Sequence, residues 1–152
     1  MRVVVQRVKN SKVRVNSEVI SEIGHGLLIL VGIDRDDTEE VLEWMANKIV
    51  NLRIFEDSNG KMNLSVKDMD FEIMLVSQFT LSAYIKKGNR PSFTDAMEEN
   101  KAKEYFDRFV SLVSQLHSKV KTGIFKARME VELVNDGPVT IVIERHPQKE
   151  IM

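Results

Sequence analysis

Residues 24–52, GHGLLILVGIDRDDTEEVLEWMANKIVNL, decide the fold class. Gly24 and Gly26 break the chain on either side of His25, and Leu27 to Ile33 then forms a short apolar run suited to a buried strand. Asp37 is placed to cap a helix, with Glu40 three residues on as its capping-box partner. Val41, Leu42, Met45, Ala46, Ile49 and Leu52 follow at helical spacing. A buried strand that runs directly into an amphipathic helix requires a sheet with helices packed on it.

Working outward, residues 2–8 are rich in valine and read as a strand. Val13-Arg14-Val15 and Val19-Ile20 alternate around Asn16-Ser17, a hairpin signal. Downstream, Arg53 to Phe55 reads as extended, Asp57-Ser58-Asn59-Gly60 as a turn, and Ile73 to Leu81 as a strand, followed by a loop holding Gly88 and Pro91. Ala102, Tyr105, Phe106, Phe109, Val110, Val113 and Leu116 fall on one face of a second helix, about residues 99–118. Two further strands are expected at about 128–134 and 139–144, separated by Asn135-Asp136-Gly137-Pro138. Six or more strands and two helices, with hairpins interspersed, predict an α+β fold. Its sheet is mainly antiparallel and strongly curved, and two amphipathic helices cover part of it. No repeat or low-complexity linker divides residues 1–152, which are expected to form a single domain.

Bulk properties exclude some functions. The 152 residues carry a formal charge of −1, so a nucleic-acid partner would have to be met through a local basic patch or a small pocket. The chain has no cysteine, which removes disulfides, thiolate nucleophiles and cysteine metal sites together. The apolar run Gly26 to Ile33 is far too short to span a bilayer, and a cytoplasmic location is expected.

The usual catalytic inventory is short. His25 lies in a Gly-His-Gly turn, His117 at a helix end where a cation suits the dipole, and His146 near the C-terminus. None has nucleophile or metal-ligand spacing around it, and all three read as structural or solvated. The carboxylates Glu98, Glu99 and Glu104 intermix with Lys101 and Lys103 as on a solvated helix face, and Asp34, Asp36 and Asp37 read as a strand-to-helix turn. Two segments stand apart. Ser77-Gln78-Phe79-Thr80-Leu81 sets hydroxyl and amide groups at the end of an apolar strand, where alternation puts Gln78 and Thr80 on one face. Asn135-Asp136-Gly137-Pro138-Val139-Thr140 reads as a tight turn, with a glycine free to take unusual backbone angles and a proline that cannot donate to a ladder. An X-Pro bond is cis in only about 5–6% of cases, so sequence alone does not predict one here.

Together these segments resemble the signature pair of the bacterial and eukaryotic D-aminoacyl-tRNA deacylase family, SQFTL at Ser77 to Leu81 and NxGPVT at Asn135 to Thr140. Gln6-Arg7-Val8, Asn51 to Phe55, Lys61 to Ser65 and Lys87 to Phe93 are similar to further family segments, in order along nearly the whole chain. Gly123 to Met129 departs from it: Lys126 stands where the family usually has glycine and Arg128 where it usually has aspartate. Ser11 stands where a small alanine is common. The resemblance implies a compact barrel-like sheet with flanking helices, and a homodimer with its two sites at the subunit interface. It also implies a cis Gly137-Pro138 bond reaching into the partner's site, and an Arg7 that helps hold that motif.

On this reading the enzyme cuts the ester between a D-amino acid, or glycine, and the 3′ end of tRNA, as a chiral proofreader of translation. The ester is already activated, so positioning it and meeting the oxyanion with backbone N–H groups near Ser77, Gln78, Phe79 and Thr80 can suffice. Thr80 is expected to position substrate, with the role of acyl acceptor as the alternative. Gly137 and Pro138 are expected to form the chiral gate, supported by Arg7, Asn135 and Thr140. Phe125 and Met129 are the candidates for the terminal adenine, and Lys86, Lys87 and Arg90 for phosphates. No metal or other cofactor is expected. Competing readings are a non-catalytic tRNA-end-binding module on the same scaffold, a structural dimerisation protein, and a relative with a trans bond and relaxed chirality.

Overall fold

The alternating valines at the N-terminus build a strand longer than the expected 2–8. β1 runs Arg2–Val15, with Val3, Val5, Val8 and Val13 turned into the core. The structure, a computed structural model, describes residues 1–148. One edge of β1 pairs antiparallel with β3 (Gly26–Gly32) over its first half and with β2 (Glu18–Ile23) over its second. Between β1 and β2, Asn16 (φ 51°) and Ser17 (φ 67°) both take positive φ. Such a turn matches the right-handed twist of a hairpin. The other edge of β1 pairs antiparallel with β8 (Glu130–Glu144).

β3 continues the sheet in the parallel sense to β6 (Glu72–Ser77) and then β7 (Val120–Thr122). The order is β2-β1-β3-β6-β7, with β8 on β1. β2 comes back toward β7, where Lys121 Nζ donates to the Glu22 carbonyl (2.7 Å), so the sheet nearly closes into a barrel. A separate small hairpin joins β4 (Phe55–Glu56) to β5 (Met62–Leu64). The sheet is therefore mainly antiparallel, as expected, with a parallel β3-β6-β7 segment.

The two predicted helices are α1 (Glu39–Asn51) and α3 (Glu99–Leu116). A short α2 (Val66–Met69), absent from the sequence reading, lies between them; Ser65 and Asp68 form its capping box. α1 buries Leu42, Met45 and Ile49, and α3 buries Phe106, Phe109 and Val113, against Leu27, Ile29, Ile73 and Leu75 of the sheet. Each large side chain fully buried here contributes about 1.5–3 kcal/mol. Neither helix, nor any other among the described residues, is long and apolar enough to cross a membrane.

Three expectations are corrected. Asp37 does not cap α1: the N-cap is Thr38, without a side-chain bond, and Glu40 closes no capping box. Asp37 instead accepts from the Met1 ammonium (2.7 Å) and the Asp34 N–H (2.8 Å), because it is drawn into a buried charge cluster with Asp34. Burial pushes the Asp37 carboxyl up despite that ammonium, whereas in Asp34 burial is outweighed by the Ser82 hydroxyl and the ammonium, which hold it low. Second, the strand expected over 73–81 ends at Ser77, and Phe79–Ser82 is a 3₁₀ turn. Third, 128–134 and 139–144 are not separate strands joined by a tight turn but parts of one strand. Both pair with β1, Val8 opposite Asn135 and Gln6 opposite Thr140, and residues 136–139 are looped out across from Arg7.

The β3–β6 pairing depends on Gly26. A Cβ there would lie 1.8 Å from the Glu72 carbonyl oxygen, a main-chain atom that cannot swing aside. Gly26→Ala is expected to lower the unfolding free energy by more than about 3 kcal/mol, measured by urea denaturation. A loss below about 1 kcal/mol would contradict this packing.

Candidate active site

β6 delivers Ser77 to the end of the sheet, and there the chain turns out of the ladder. Gln78 N–H still donates to the Val31 carbonyl (2.7 Å), the last bond of the sheet type. The turn then packs back on Gly32, where a Cβ would lie 2.8 Å from the Leu81 Cβ and 3.1 Å from the Gln78 carbonyl oxygen. A glycine at this point of β3 is what lets the 3₁₀ turn sit so close. The first N–H groups of such a turn have no partner within it. Among the described residues no acceptor is found for the N–H of Phe79 or of Thr80.

This turn borders a cavity of about 670 Å³, within the size range of small-molecule sites. Ser77, Gln78 and Phe79 form one wall, and Phe93, Met97 and Ala102 stand among the lining residues. Phe125 and Met129 line it as well. Phe125 packs on Phe106, with ring centroids 6.0 Å apart, so it serves the core and the cavity together. Phe79 is 60% exposed and meets the Phe93 ring edge to face at 5.1 Å.

The hydroxyl of Thr80 accepts a hydrogen bond from the Gln78 Nε2, and Thr80 itself is exposed. The strand alternation that placed Gln78 and Thr80 on one face does not apply in the turn, yet the turn brings the pair together. No histidine lines the cavity. His117 is buried at the C-cap of α3 and donates from Nε2 to the Phe71 carbonyl (2.6 Å). His25 stacks on Phe71 at 5.4 Å and His146 faces Glu144 at 3.6 Å. Glu98 and Glu99 do line it. Glu98 caps α3 through the N–H groups of Asn100 and Lys101, and these bonds hold its carboxyl below the usual range. A carboxylate so stabilised is a poor proton acceptor. Glu99 is paired with Lys126 (2.6 Å).

The second motif forms a distinct structure. Asn135 Oδ1 accepts from the Val139 N–H (2.7 Å), while its Nδ2 donates to the Val139 carbonyl (3.1 Å) and the Thr140 hydroxyl (3.0 Å). From the opposite strand, buried Arg7 donates from Nε to the Asp136 carbonyl (2.9 Å) and from Nη1 to the Ile54 carbonyl (2.8 Å). Gly137 has φ 138°, and the Gly137-Pro138 bond is cis, the form that the family resemblance implied and the base rate did not. Gly137 and Pro138 are exposed, and neither lines the cavity of its own chain. Lys86, Lys87 and Arg90 are exposed in the loop beyond the turn, closed at its base by the Tyr84–Ser92 bridge, and also lie off the cavity lining. Gly32, Phe93, Met97 and Ala102 were not singled out in the sequence, since an apolar wall carries no chemical pattern.

Lys126 has φ 69°, a left-handed conformation that suits glycine, the residue the resemblance leads one to expect there. A side chain there costs about 1–2 kcal/mol, and the exposed pair with Glu99 returns about 0–1 kcal/mol. Lys126→Gly is therefore expected to raise the unfolding free energy by about 0.5–1 kcal/mol in chemical denaturation. A fall instead would mean that the ion pair outweighs the strain.

A family model described as D-Tyr-tRNA(Tyr) deacylase matches residues 4–144. The chain is 52% identical over 149 residues to the D-aminoacyl-tRNA deacylase of Dictyoglomus turgidum, covering 98% of this chain and 96% of that protein. It is 53% identical over 148 residues to that of Kosmotoga olearia, covering 97% and 99%. Among solved structures, one titled c-Myc DNA Unwinding Element Binding Protein superimposes with a TM-score of 0.93 at 44% identity, covering 97% of this chain and all of that one. One titled as a probable eukaryotic D-amino acid tRNA deacylase shares the fold, with a TM-score of 0.79 at 20% identity over 93% of this chain and 97% of that one.

Proposed function

The chain belongs to the D-Tyr-tRNA(Tyr) deacylase family, and we propose that its cavity receives the 3′ end of an aminoacyl-tRNA and holds the ester against the Phe79–Ser82 turn. It is a hydrolase that deacylates D-aminoacyl-tRNA and so acts in translation quality control. The observation that carries the catalytic reading is the unpartnered N–H of Phe79, which lines a cavity lined by no histidine, followed in the same turn by the unpartnered N–H of Thr80, which stands off that lining. Donors fixed in advance where an oxyanion develops are worth about 2.7–4 kcal/mol each to the rate.

In this reading, water attacks the ester carbonyl carbon and the oxyanion forms against those N–H groups. The tetrahedral species collapses by breaking the bond to the ribose oxygen, which takes up the proton that the attacking water gives up by way of the neighbouring ribose hydroxyl. The neighbouring ribose hydroxyl orients the water, so the RNA supplies part of the catalyst. Thr80 positions substrate through its bond with Gln78 and forms no acyl-enzyme. The terminal adenine packs on Phe125 and Met129, and Lys86, Lys87 and Arg90, in the exposed loop off the cavity, meet phosphates further along the tRNA. The whole chain acts as one domain in the cytoplasm, where charged tRNA is used.

Chirality is sorted by a main-chain wall. A wall made of Gly137 and Pro138, clamped by Asn135 and Arg7, has few ways to yield to a misplaced side chain. Because neither residue lines the cavity of its own chain, this gate requires a second copy of the chain to bring it there, which supports a homodimer with interfacial sites. Glycine has no side chain to exclude, so glycyl-tRNA passes the same filter.

Two assays test the reading. Side by side at low enzyme, D-tyrosyl-tRNA and glycyl-tRNA are expected to be hydrolysed and L-tyrosyl-tRNA left intact; efficient L-tyrosyl cleavage would remove the gate. In single-turnover hydrolysis of D-tyrosyl-tRNA, Thr80→Ala is expected to keep activity within about 100-fold of the parent, the range of a lost positioning contact. Complete loss with tRNA binding intact would make Thr80 the nucleophile.

A further inference from the structure

A four-residue 3₁₀ turn has too few bonds of its own to hold a rigid shape, so its rigidity must come from what it rests on. Phe79 and Thr80 on its front are exposed, while Ser82 on its back is buried. Two side chains grip that back. Arg2, at the start of β1, donates from Nη1 to the Leu81 carbonyl (2.7 Å). Its Nε is meanwhile held by Glu144 of β8 (2.7 Å). Ser82 donates from Oγ to Asp34 Oδ1 (2.6 Å), and the other oxygen of Asp34 holds the Met1 ammonium (3.0 Å). Both grips are hydrogen bonds with a charged partner, which are shorter and about twice as strong as neutral ones. Neither Arg2 nor Ser82 lines the cavity.

We propose that Arg2 and Ser82 are positioning residues for the deacylation: through the Leu81 carbonyl and the Asp34 carboxylate they fix the Phe79–Ser82 turn against the start of β1, and so fix the two free N–H groups. This rests on the reading of that turn as catalytic. A donor pair must keep its place to within a fraction of an ångström to favour the transition state, and a displacement near 1 Å costs about 100-fold in rate. Loss of either grip loosens the turn and leaves the rest of the cavity lining, Phe93, Met97, Ala102, Phe125 and Met129, in place, so the effect falls mainly on the chemical step.

The test is steady-state hydrolysis of D-tyrosyl-tRNA by the parent protein and by Arg2→Ala, Ser82→Ala and Glu144→Gln, each checked for its thermal midpoint. At a temperature where all are folded, Arg2→Ala and Ser82→Ala each lower kcat about tenfold and leave KM within about twofold. Glu144→Gln removes the charge paired with Arg2 but spares the bond to Leu81, and kcat stays within about twofold of the parent. The inference is overturned if both alanine variants keep the parent kcat, if their loss lies in KM alone, or if Glu144→Gln costs as much as Arg2→Ala. Should Arg2→Ala fail to fold, Ser82→Ala decides by the same criteria. A parent protein that leaves D-tyrosyl-tRNA intact removes the deacylase reading and this inference with it. An active parent with unimpaired alanine variants removes the inference alone.

Discussion

Both edges of β1 are hydrogen-bonded along most of its length, and the placement of the rest follows from that. On one edge it fixes β3, which sets β6 and thus the point where Ser77 leaves the sheet. On the other it fixes β8 on either side of Arg7, so the extra residues 136–139 leave the ladder, with Gly137 and Pro138 exposed and Val139 turned back into the core. A slip of one residue in either register would turn the valines of β1 to the wrong face. The two motifs therefore occupy set positions on opposite sides of β1, one on β8 directly against it and the other at the end of β6, beyond β3, although 53 residues lie between them in the sequence.

Polar groups inside the molecule are used as fasteners. Arg7 is nearly fully buried, and its guanidinium satisfies the carbonyls of Ile54 and Asp136, tying the β4–β5 region to the looped segment of β8. The Met1 ammonium lies between Asp34 and Asp37 and closes the start of β1 onto the strand-to-helix turn. Among the described residues no buried side-chain nitrogen or oxygen lacks a hydrogen-bond partner. That condition matters because an unmatched buried polar group costs about 1–3 kcal/mol, a large part of the stability of a chain this size.

The elements that were legible in the sequence are those with strong periodicity. α1 and α3 fall within a few residues of their expected bounds, because an apolar stripe at helical spacing is a local pattern. The hairpin at Asn16-Ser17 was visible because it needs residues that tolerate positive φ. The strand over 73–81 was overextended for a physical reason: Phe79 and Leu81 look like strand residues, but the turn is imposed by Gly32 and Arg2 from elsewhere in the chain. α2 was missed because four residues carry no measurable period, although its Ser65–Asp68 box is written in the sequence. The helix cap assigned to Asp37 failed because a stronger partner, the Met1 ammonium, competes for the same carboxylate.

By itself the sequence determined the α+β class, the two long helices, the shortage of histidine chemistry and, through its two motifs, the family. These depend on residue identity and short-range spacing, which a linear reading contains. Only the tertiary structure decided that Phe125 and Met129 share a cavity with Ser77, Gln78 and Phe79, and that Gly137 and Pro138 stand off that cavity in their own chain. It also decided that Lys126 sits in a glycine conformation. Such facts arise from the pairing of distant strands and from competition among partners for the same hydrogen bond, and neither is encoded at any one position.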